Sequence, residues 1–398
     1  MDPVTTAPLT LLLGPEAPAV LATALDGYRG RLHALRVASV AVQPTGAAVV
    51  QYRADVERAD GSRTAETLAA TTGGRIPSGA AVLSGEHDGR PVEVGVWRWP
   101  QDPALPALAA ATDPDRLRDA LAAAGLPRTG PPRVRVRAYR PGRRAVLQVD
   151  GGGPRLYLKV VRPAAVDALV ARHGLLAGPA PVPPVLAATA DGLVVLPEQP
   201  GTPVRALLGG GAPLPSPADL DALLDALPPA LAGLPSRPGH LGRVRHFTDV
   251  LALTAVTAPA EREALDALAA ALEATDAGAP ATVPVHGDLH DGQLLAADGS
   301  VTGLLDVDTA GPGHRVDEWA TLLAHLSVRA PHERDPGPVR RYGATLLAHA
   351  EERVDRAALR PRIAAAVLGL ATGPFRVQQP GWAAHTRARL GLAGRWLG

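Results

Sequence analysis

Cysteine is absent from all 398 positions, which excludes a disulfide framework, thiol catalysis and cysteine-based zinc sites together. Asparagine is absent too, isoleucine occurs only at Ile76 and Ile363, and aromatic residues make up 3% of the chain. The interior must therefore be aliphatic, built from Ala, Leu and Val, and rich in helix. No uncharged apolar stretch approaches the ~18 residues that span a bilayer. The N-terminal run 9–13 is also shorter than a signal-peptide core and has no basic segment before it. A cytoplasmic protein without a membrane partner is the expectation. Charge of one sign is missing as well: 40 Lys plus Arg face 39 Asp plus Glu, so no global field gathers nucleic acid.

Lysine is nearly absent, and the exception is informative. Arginine has replaced it everywhere except at Lys159. A compact ammonium on a flexible stem is not interchangeable with a planar guanidinium, so a site that needs lysine chemistry explains the survivor. Chance survival at a surface position is the alternative.

The length suits two or three domains. Residues 1–108 read as a β-rich module, with strand-like runs at 35–42, 47–56, 63–71, 81–83 and 92–99 separated by Pro44-Thr45-Gly46, Asp60-Gly61 and Asp88-Gly89. A short helix follows, with Asp113 as N-cap, Pro114 at its first position and Gly125 beyond its end. Residues 109–200 then continue as a three-strand meander (133–139, 144–149, 155–161) that carries Lys159, a helix over 163–177, and a strand at 193–196. The alternating arginines of 133–144 predict a solvated strand face, because Tyr139 alone interleaves them where an RNA site would stack bases. From Ser216-Pro217 onward the pattern is helical, apart from one β interruption.

That interruption reads His286-Gly287-Asp288-Leu289-His290-Asp291-Gly292-Gln293, then a strand, Asp298-Gly299, and a second strand ending in Asp306-Val307-Asp308. Asp-Gly between apolar runs is a strong hairpin turn. Pairing outward from it brings Gln293 beside Asp306 at the hairpin's open end, near the loop that carries Asp288. Carboxylate and amide oxygens converging there suit magnesium. A rival set makes His286 and His290 zinc ligands, completed by Asp288, Asp306 or His314, as in a metallohydrolase. Loop capping is the bland reading of the two acids.

These residues resemble the aminoglycoside phosphotransferase and choline kinase-like superfamily. Gln293, and the extra N-terminal module, make the pattern more similar to its maltokinase and actinobacterial glucosamine kinase branch. The resemblance covers residues 110–398. It implies an α+β, bilobal, protein-kinase-like fold: an N-terminal cap (1–108), a small β nucleotide lobe (109–200) and a large helical lobe (201–398). It further implies ATP and Mg2+, with Asp288 as catalytic base, Gln293 and Asp306 on the metal, Asp308 completing the shell, and Lys159 on the phosphates.

The same resemblance places nucleotide phosphates beneath the turn leading to Arg144, and adenine on the connector Pro197-Glu198-Gln199. His286 and His290 are expected to fix the catalytic loop, through backbone hydrogen bonds or through Asp317. The helix after Lys159 lacks a glutamate partner for it, which leaves Asp167 as the nearest substitute. For the acceptor, Asp317 and Glu318 are placed to attract an amino group. Arg376, Gln378, Gln379 and Trp382 combine hydrogen bonding with an aromatic surface, either to read a sugar ring or simply to pack a helix junction. A small hydroxylated acceptor is the expected partner, a sugar or an amino sugar such as glucosamine, with an aminoglycoside antibiotic as the alternative.

Overall fold

The computed structural model describes residues 7–26, 30–58, 60–254, 259–276, 278 and 282–398; the expected start of the cap, residues 1–6, lies outside them. Two compact units emerge. One comprises Met1–Val166, Leu186–Leu196 and Pro374–Trp382; the other comprises Asp167–Val185, Pro197–Gly373 and Ala383–Gly398. The N-terminal part is sheet-rich and the C-terminal part helical, the α+β organisation expected.

The first unit opens with two helices the sequence reading did not foresee, α1 (Ala7–Leu13) and α2 (Ala17–Asp26). Gly14, Pro15 and Pro18 break their periodicity. The apolar run belongs to α1, with Leu11 and Leu12 buried and the Tyr52 hydroxyl donating to Leu12 O at 2.7 Å. An antiparallel sheet follows, in the order β1 (Gly30–Val42), β2 (Ala48–Arg58), β3 (Arg63–Thr72), β5 (Arg90–Arg98) and β4 (Ala81–His87). Asp88 and Gly89 both have positive φ, the backbone that a two-residue hairpin turn demands.

Next come α3 (Leu108–Thr112) and α4 (Pro114–Ala123). The ends of α4 are those read from the sequence: Asp113 accepts from the N–H groups of Asp115 and Arg116, both at 3.0 Å, and Gly125 is left-handed. The second sheet is built from β6 (Arg133–Arg140), β7 (Arg144–Asp150), β8 (Leu156–Val161), β9 (Ala187–Ala188) and β10 (Leu193–Pro197), ordered β6-β7-β8-β10-β9. Leu108, Leu117 and Leu121 bury against Leu147, Val149, Leu158 and Val195. On β6, Arg133, Arg135 and Arg137 are exposed, as expected of a solvated face. The chain continues into α5 (Val166–Leu176).

The second unit is assembled around one helix. After α6 (Val204–Leu207), α7 (Pro217–Asp225), α8 (Val244–Thr254) and α9 (Pro259–Ala274), two small sheets form. In one, β12 (Thr282–Val285) pairs with β15 (Gly311–His314); in the other, β11 (Thr202–Pro203) joins the hairpin of β13 (Leu294–Ala297) and β14 (Ser300–Leu304). Helix α10 (Arg315–Arg329) is next, then α11 (Gly337–Arg353), α12 (Arg356–Ala371), α13 (Gly373–Arg376) and α14 (Trp382–Leu397). Trp319, Leu322, Leu323 and Leu326 of α10 are buried with Ile363 and Val367 of α12 and with Leu289, Leu294 and Leu304. Burial on several sides makes α10 the axis of this unit.

Helix α7 starts with a reciprocal cap. The Ser216 hydroxyl accepts from Asp219 N at 3.2 Å, and Ser216 N donates to the Asp219 carboxylate at 2.8 Å. Ser216→Ala should lower stability by about 1 kcal/mol, the usual cost of a lost N-cap, measured by urea denaturation; an unchanged midpoint would show that the cap adds nothing.

Candidate active site

The hairpin forms as its turn dipeptide dictates. Asp298 and Gly299 both have positive φ, and Leu294 pairs with Leu304. The ladder extends one step further, with Leu305 N donating to Gln293 O at 2.8 Å. The backbones of Gln293 and Asp306 therefore lie together at the open end. Asp306 adopts a left-handed conformation (φ 57°, ψ 53°) with no capping hydrogen bond from its side chain. For a non-glycine residue this costs about 1 kcal/mol or more, strain of a kind that collects at functional sites.

The loop between β12 and β13 is bound from below and from the side. His286 is fully buried; its Nε2–H donates to Leu305 O at 2.8 Å, and its Nδ1 accepts from Asp288 N at 3.3 Å. One imidazole thus ties the Asp288 backbone to the strand end just before Asp306. Burial pushes its pKa down to about 4, so the ring is neutral at ordinary pH. Gly287 has φ +79°, and a Cβ there would lie 2.8 Å from Thr309 O. Glycine is required at this step.

Helix α10 grips this loop at three points. Gly287 N donates to Glu318 Oε1 at 2.7 Å; the His290 and His325 rings stack with centroids 4.0 Å apart; Arg329 Nε donates to Asp291 Oδ2 at 2.7 Å. Residues 318, 325 and 329 are spaced by seven and four, so they fall within about 20° of one helix face. Their span of about 16 Å along the axis is comparable to the reach of the loop from 287 to 291. Asp291 is 1% exposed. Burial alone would raise its carboxyl, but the hydrogen bond from His290 and the Arg329 guanidinium outweigh it and hold the pKa below the usual carboxylate range.

Asp288, Gln293, Asp306 and Asp308 are all half-buried. Gln293 Nε2 lies 3.2 Å from His290 Nε2, and an amide whose nitrogen faces the imidazole leaves its oxygen for a cation. Oxygen donors of this sort fit magnesium. Asp308 also feels the charge of Arg172, a buried guanidinium from α5 whose Nε donates to Ala310 O at 2.9 Å. The zinc pair read from the sequence does not form, because both nitrogens of His286 are engaged in the loop. The ligand atoms that do approach one another, within 4.8 Å, belong to Asp288, His290 and His325. The two rings are parallel to within 1°. An ion placed between them would sit far out of both ring planes, where imidazole has no lone pair, so the stack does not chelate one ion as it stands.

Glu318, expected at an acceptor, is 1% exposed and committed to Gly287 N. Its neighbour Asp317 instead pairs with buried Arg362 at 3.1 Å. Burial raises the pKa of both acids, that of Glu318 to about 8. Of the residues expected on the nucleotide, Lys159 is 6% exposed on β8, Arg144 starts β7, Pro197 closes β10, and Glu198 and Gln199 follow it; Asp167, the substitute partner for the lysine, is exposed on α5. Gln378, with φ 49°, donates from Nε2 to Phe375 O at 2.6 Å; Gln379 N donates to Pro374 O, and Trp382 packs edge-on against Phe375 at 5.0 Å. Arg376 has its pKa lowered by burial and by the neighbouring charges of Arg143 and Arg144. Sequence reasoning overlooked His325, Arg329 and Arg172; the helical spacing of the first two from Glu318 was the available signal.

A folded-state pKa of about 8 against the usual 4.5 means the folded protein binds the Glu318 proton more tightly than the unfolded chain does. Stability then falls as pH rises through that window. Glu318→Gln keeps an oxygen for Gly287 N and removes the titration. Its melting temperature should gain on the native protein increasingly from pH 5 to pH 9; a gap that narrows would overturn the burial argument.

A search of curated protein sequences finds no match. Among solved structures, a thermostable mutant of aminoglycoside phosphotransferase APH(4)-Ia in its apo form is 16% identical, with 66% of this chain and 94% of that one covered at a TM-score of 0.49. Macrolide 2'-phosphotransferase MphH from Brachybacterium faecium is 23% identical, with 70% and 97% covered at a TM-score of 0.46. A further variant of the thermostable APH(4)-Ia, in a ternary complex with ADP and hygromycin B, is 15% identical, covering 72% and 98% at 0.49. The sequence model of the APH phosphotransferase enzyme family matches residues 129–361, more than half of the chain and the whole of the β13–β14 hairpin. The chain belongs to the APH phosphotransferase enzyme family.

Proposed function

We propose that this phosphotransferase is an ATP-dependent small-molecule kinase in which Asp288 orients an acceptor hydroxyl and takes its proton as phosphate is transferred. The observation that carries the reading is the grip on the Asp288 loop: Glu318, His325 and Arg329 from one helix face, and His286 from within the loop. Phosphoryl transfer needs little covalent chemistry from a protein beyond positioning and charge neutralisation. A base whose loop is held by buried His286 and Glu318 and by half-buried His325 and Arg329 meets the first need. The products are ADP and a phosphate monoester, the hydroxyl proton passing to the Asp288 carboxylate.

Gln293 and Asp306 would hold magnesium, with Asp308 in support although Arg172 already offsets part of its charge. When bound, the ion neutralises phosphate oxygens. Lys159 and Arg144 are assigned to the nucleotide's phosphates, and the backbone at Pro197, Glu198 and Gln199 to its base. In this reading 1–108 is a cap, 109–200 the nucleotide-binding part, and 201–398 the catalytic and acceptor-binding part.

For the acceptor, the resemblance to maltokinases and glucosamine kinases favours a sugar or an amino sugar such as glucosamine. Asp317 is the carboxylate we assign to an amino group. Glu318 is reassigned from the acceptor to the loop. Gln378 and Trp382 already have protein partners, which leaves Arg376 and Gln379 as the freer members of their group. An aminoglycoside presents the same amino and hydroxyl chemistry and is the competing acceptor.

Asp288→Asn preserves shape while removing the base. Turnover should fall by about 10² to 10⁴, with ATP affinity by calorimetry within a few-fold of native; a variant retaining most of its turnover sinks the assignment. Coupled ADP release under Mg2+ and ATP, screened over monosaccharides, amino sugars, disaccharides and aminoglycosides, should single out an amino sugar. Preference for a sugar without an amino group would remove the role given to Asp317.

A further inference from the structure

The proposed reading gives residues 1–108 no task, yet the end of that module meets the β6–β7 turn through a buried chain of hydrogen bonds. Trp97 Nε1 on β5 donates to the Tyr139 hydroxyl at 3.1 Å, and that hydroxyl donates to Asp102 Oδ2 at 2.9 Å. The same Oδ2 accepts from Gly142 N, inside the turn, at 2.7 Å. Asp102 Oδ1 accepts from Ala104 N at 2.9 Å, which fixes the carboxylate from its own side. Trp99 adds an edge-on ring contact to Tyr139 at 4.6 Å. Trp97 and Asp102 are each 3% exposed. A carboxylate this deeply buried is stable only while its oxygens are paired, so the turn is held where Asp102 can reach it.

The turn's own amides point inward. Gly142 N is bonded to Asp102, and Arg143 N donates to Arg140 O at 3.0 Å. The backbone at these two positions therefore has no free N–H to cradle a phosphate. What the turn presents instead is guanidinium: Arg143 is exposed, Arg144 half-buried, and Arg376, in a segment of the same compact unit, is close enough for their charges to bear on it. Three like charges gathered about one turn suit a polyanion such as a nucleoside triphosphate.

We infer that the N-terminal module is a positioning brace for the nucleotide: through Trp97, Tyr139 and Asp102 it fixes the turn whose arginine side chains meet the phosphates. This rests on the kinase reading above. Asp102 and Tyr139 act through the turn and are positioning residues.

The test uses the full-length chain with Asp102→Asn and Tyr139→Phe. The first puts an amide where an acceptor is needed; the second removes only the relay hydroxyl. In Asp102→Asn, amide exchange across 139–144 without nucleotide should quicken, and KM for MgATP should rise about tenfold, as expected for a lost charge-assisted hydrogen bond, while kcat and the acceptor KM stay within twofold. Tyr139→Phe should follow with a smaller rise, and it carries the test if Asp102→Asn does not fold. Unchanged exchange in both variants overturns the brace. Quickened exchange with an unchanged KM for ATP overturns its link to nucleotide. If the native protein neither binds nor turns over ATP, the kinase reading itself has failed, a result the exchange measurement keeps separate.

Discussion

The N–H of a left-handed glycine donating into a buried carboxyl group is the constraint on which the loop between β12 and β13 depends. Gly287 can adopt that backbone only because it lacks a side chain, and its N–H meets the carboxyl group of Glu318, a residue 1% exposed. Removing either partner would leave a buried polar group unpaired, which costs about 1–3 kcal/mol. The same helix then holds the loop at His290 and Asp291. A segment that would otherwise be a mobile connection is thereby given the rigidity of α10, and the Asp288 side chain inherits a fixed origin.

The arrangement separates two kinds of donor. Imidazoles take structural work: His286 ties strand to loop, and His290 and His325 stack ring on ring. Asp288, Gln293, Asp306 and Asp308 sit half-buried on the loop and hairpin that these imidazoles tie down. Nitrogen ligands favour zinc and oxygen ligands favour magnesium, so this division inclines the site towards phosphate chemistry. The buried cation Arg172 and the half-buried Arg329 stand beside acids of the same region, which keeps the excess negative charge of the loop small before any ligand arrives.

Features encoded by neighbours in sequence were legible. The Asp298-Gly299 turn, the Asp113 and Ser216 caps and four strands of the sheet carrying Lys159 follow from local backbone preferences, and the structure has them all; the two-residue β9 of that sheet carried no such signal. The pairing next to the turn followed from the dipeptide, but a bulge between Leu295 and Ala296 shifts the ladder by one residue, so that Leu294 pairs with Leu304, and nothing in the local sequence announced it. Choices between adjacent residues were not legible. Asp317 and Glu318 differ by about 100° around a helix, and only the packing of α10 decides that Glu318 faces the loop while Asp317 faces Arg362. The same holds for Asp102 and Tyr139, separated by 37 residues and joined only by tertiary structure. Helices α1 and α2 were missed for a different reason, since glycine and proline interrupt their pattern while burial against the sheet sustains them.

The central claim is a divalent ion on oxygen ligands at the end of the hairpin. Anomalous diffraction from crystals grown with manganese and a non-hydrolysable ATP analogue tests it most directly. The account predicts an anomalous peak within coordinating reach of the side-chain oxygens of Gln293 and Asp306. A peak on His290 and His325, or none near the hairpin, would contradict it.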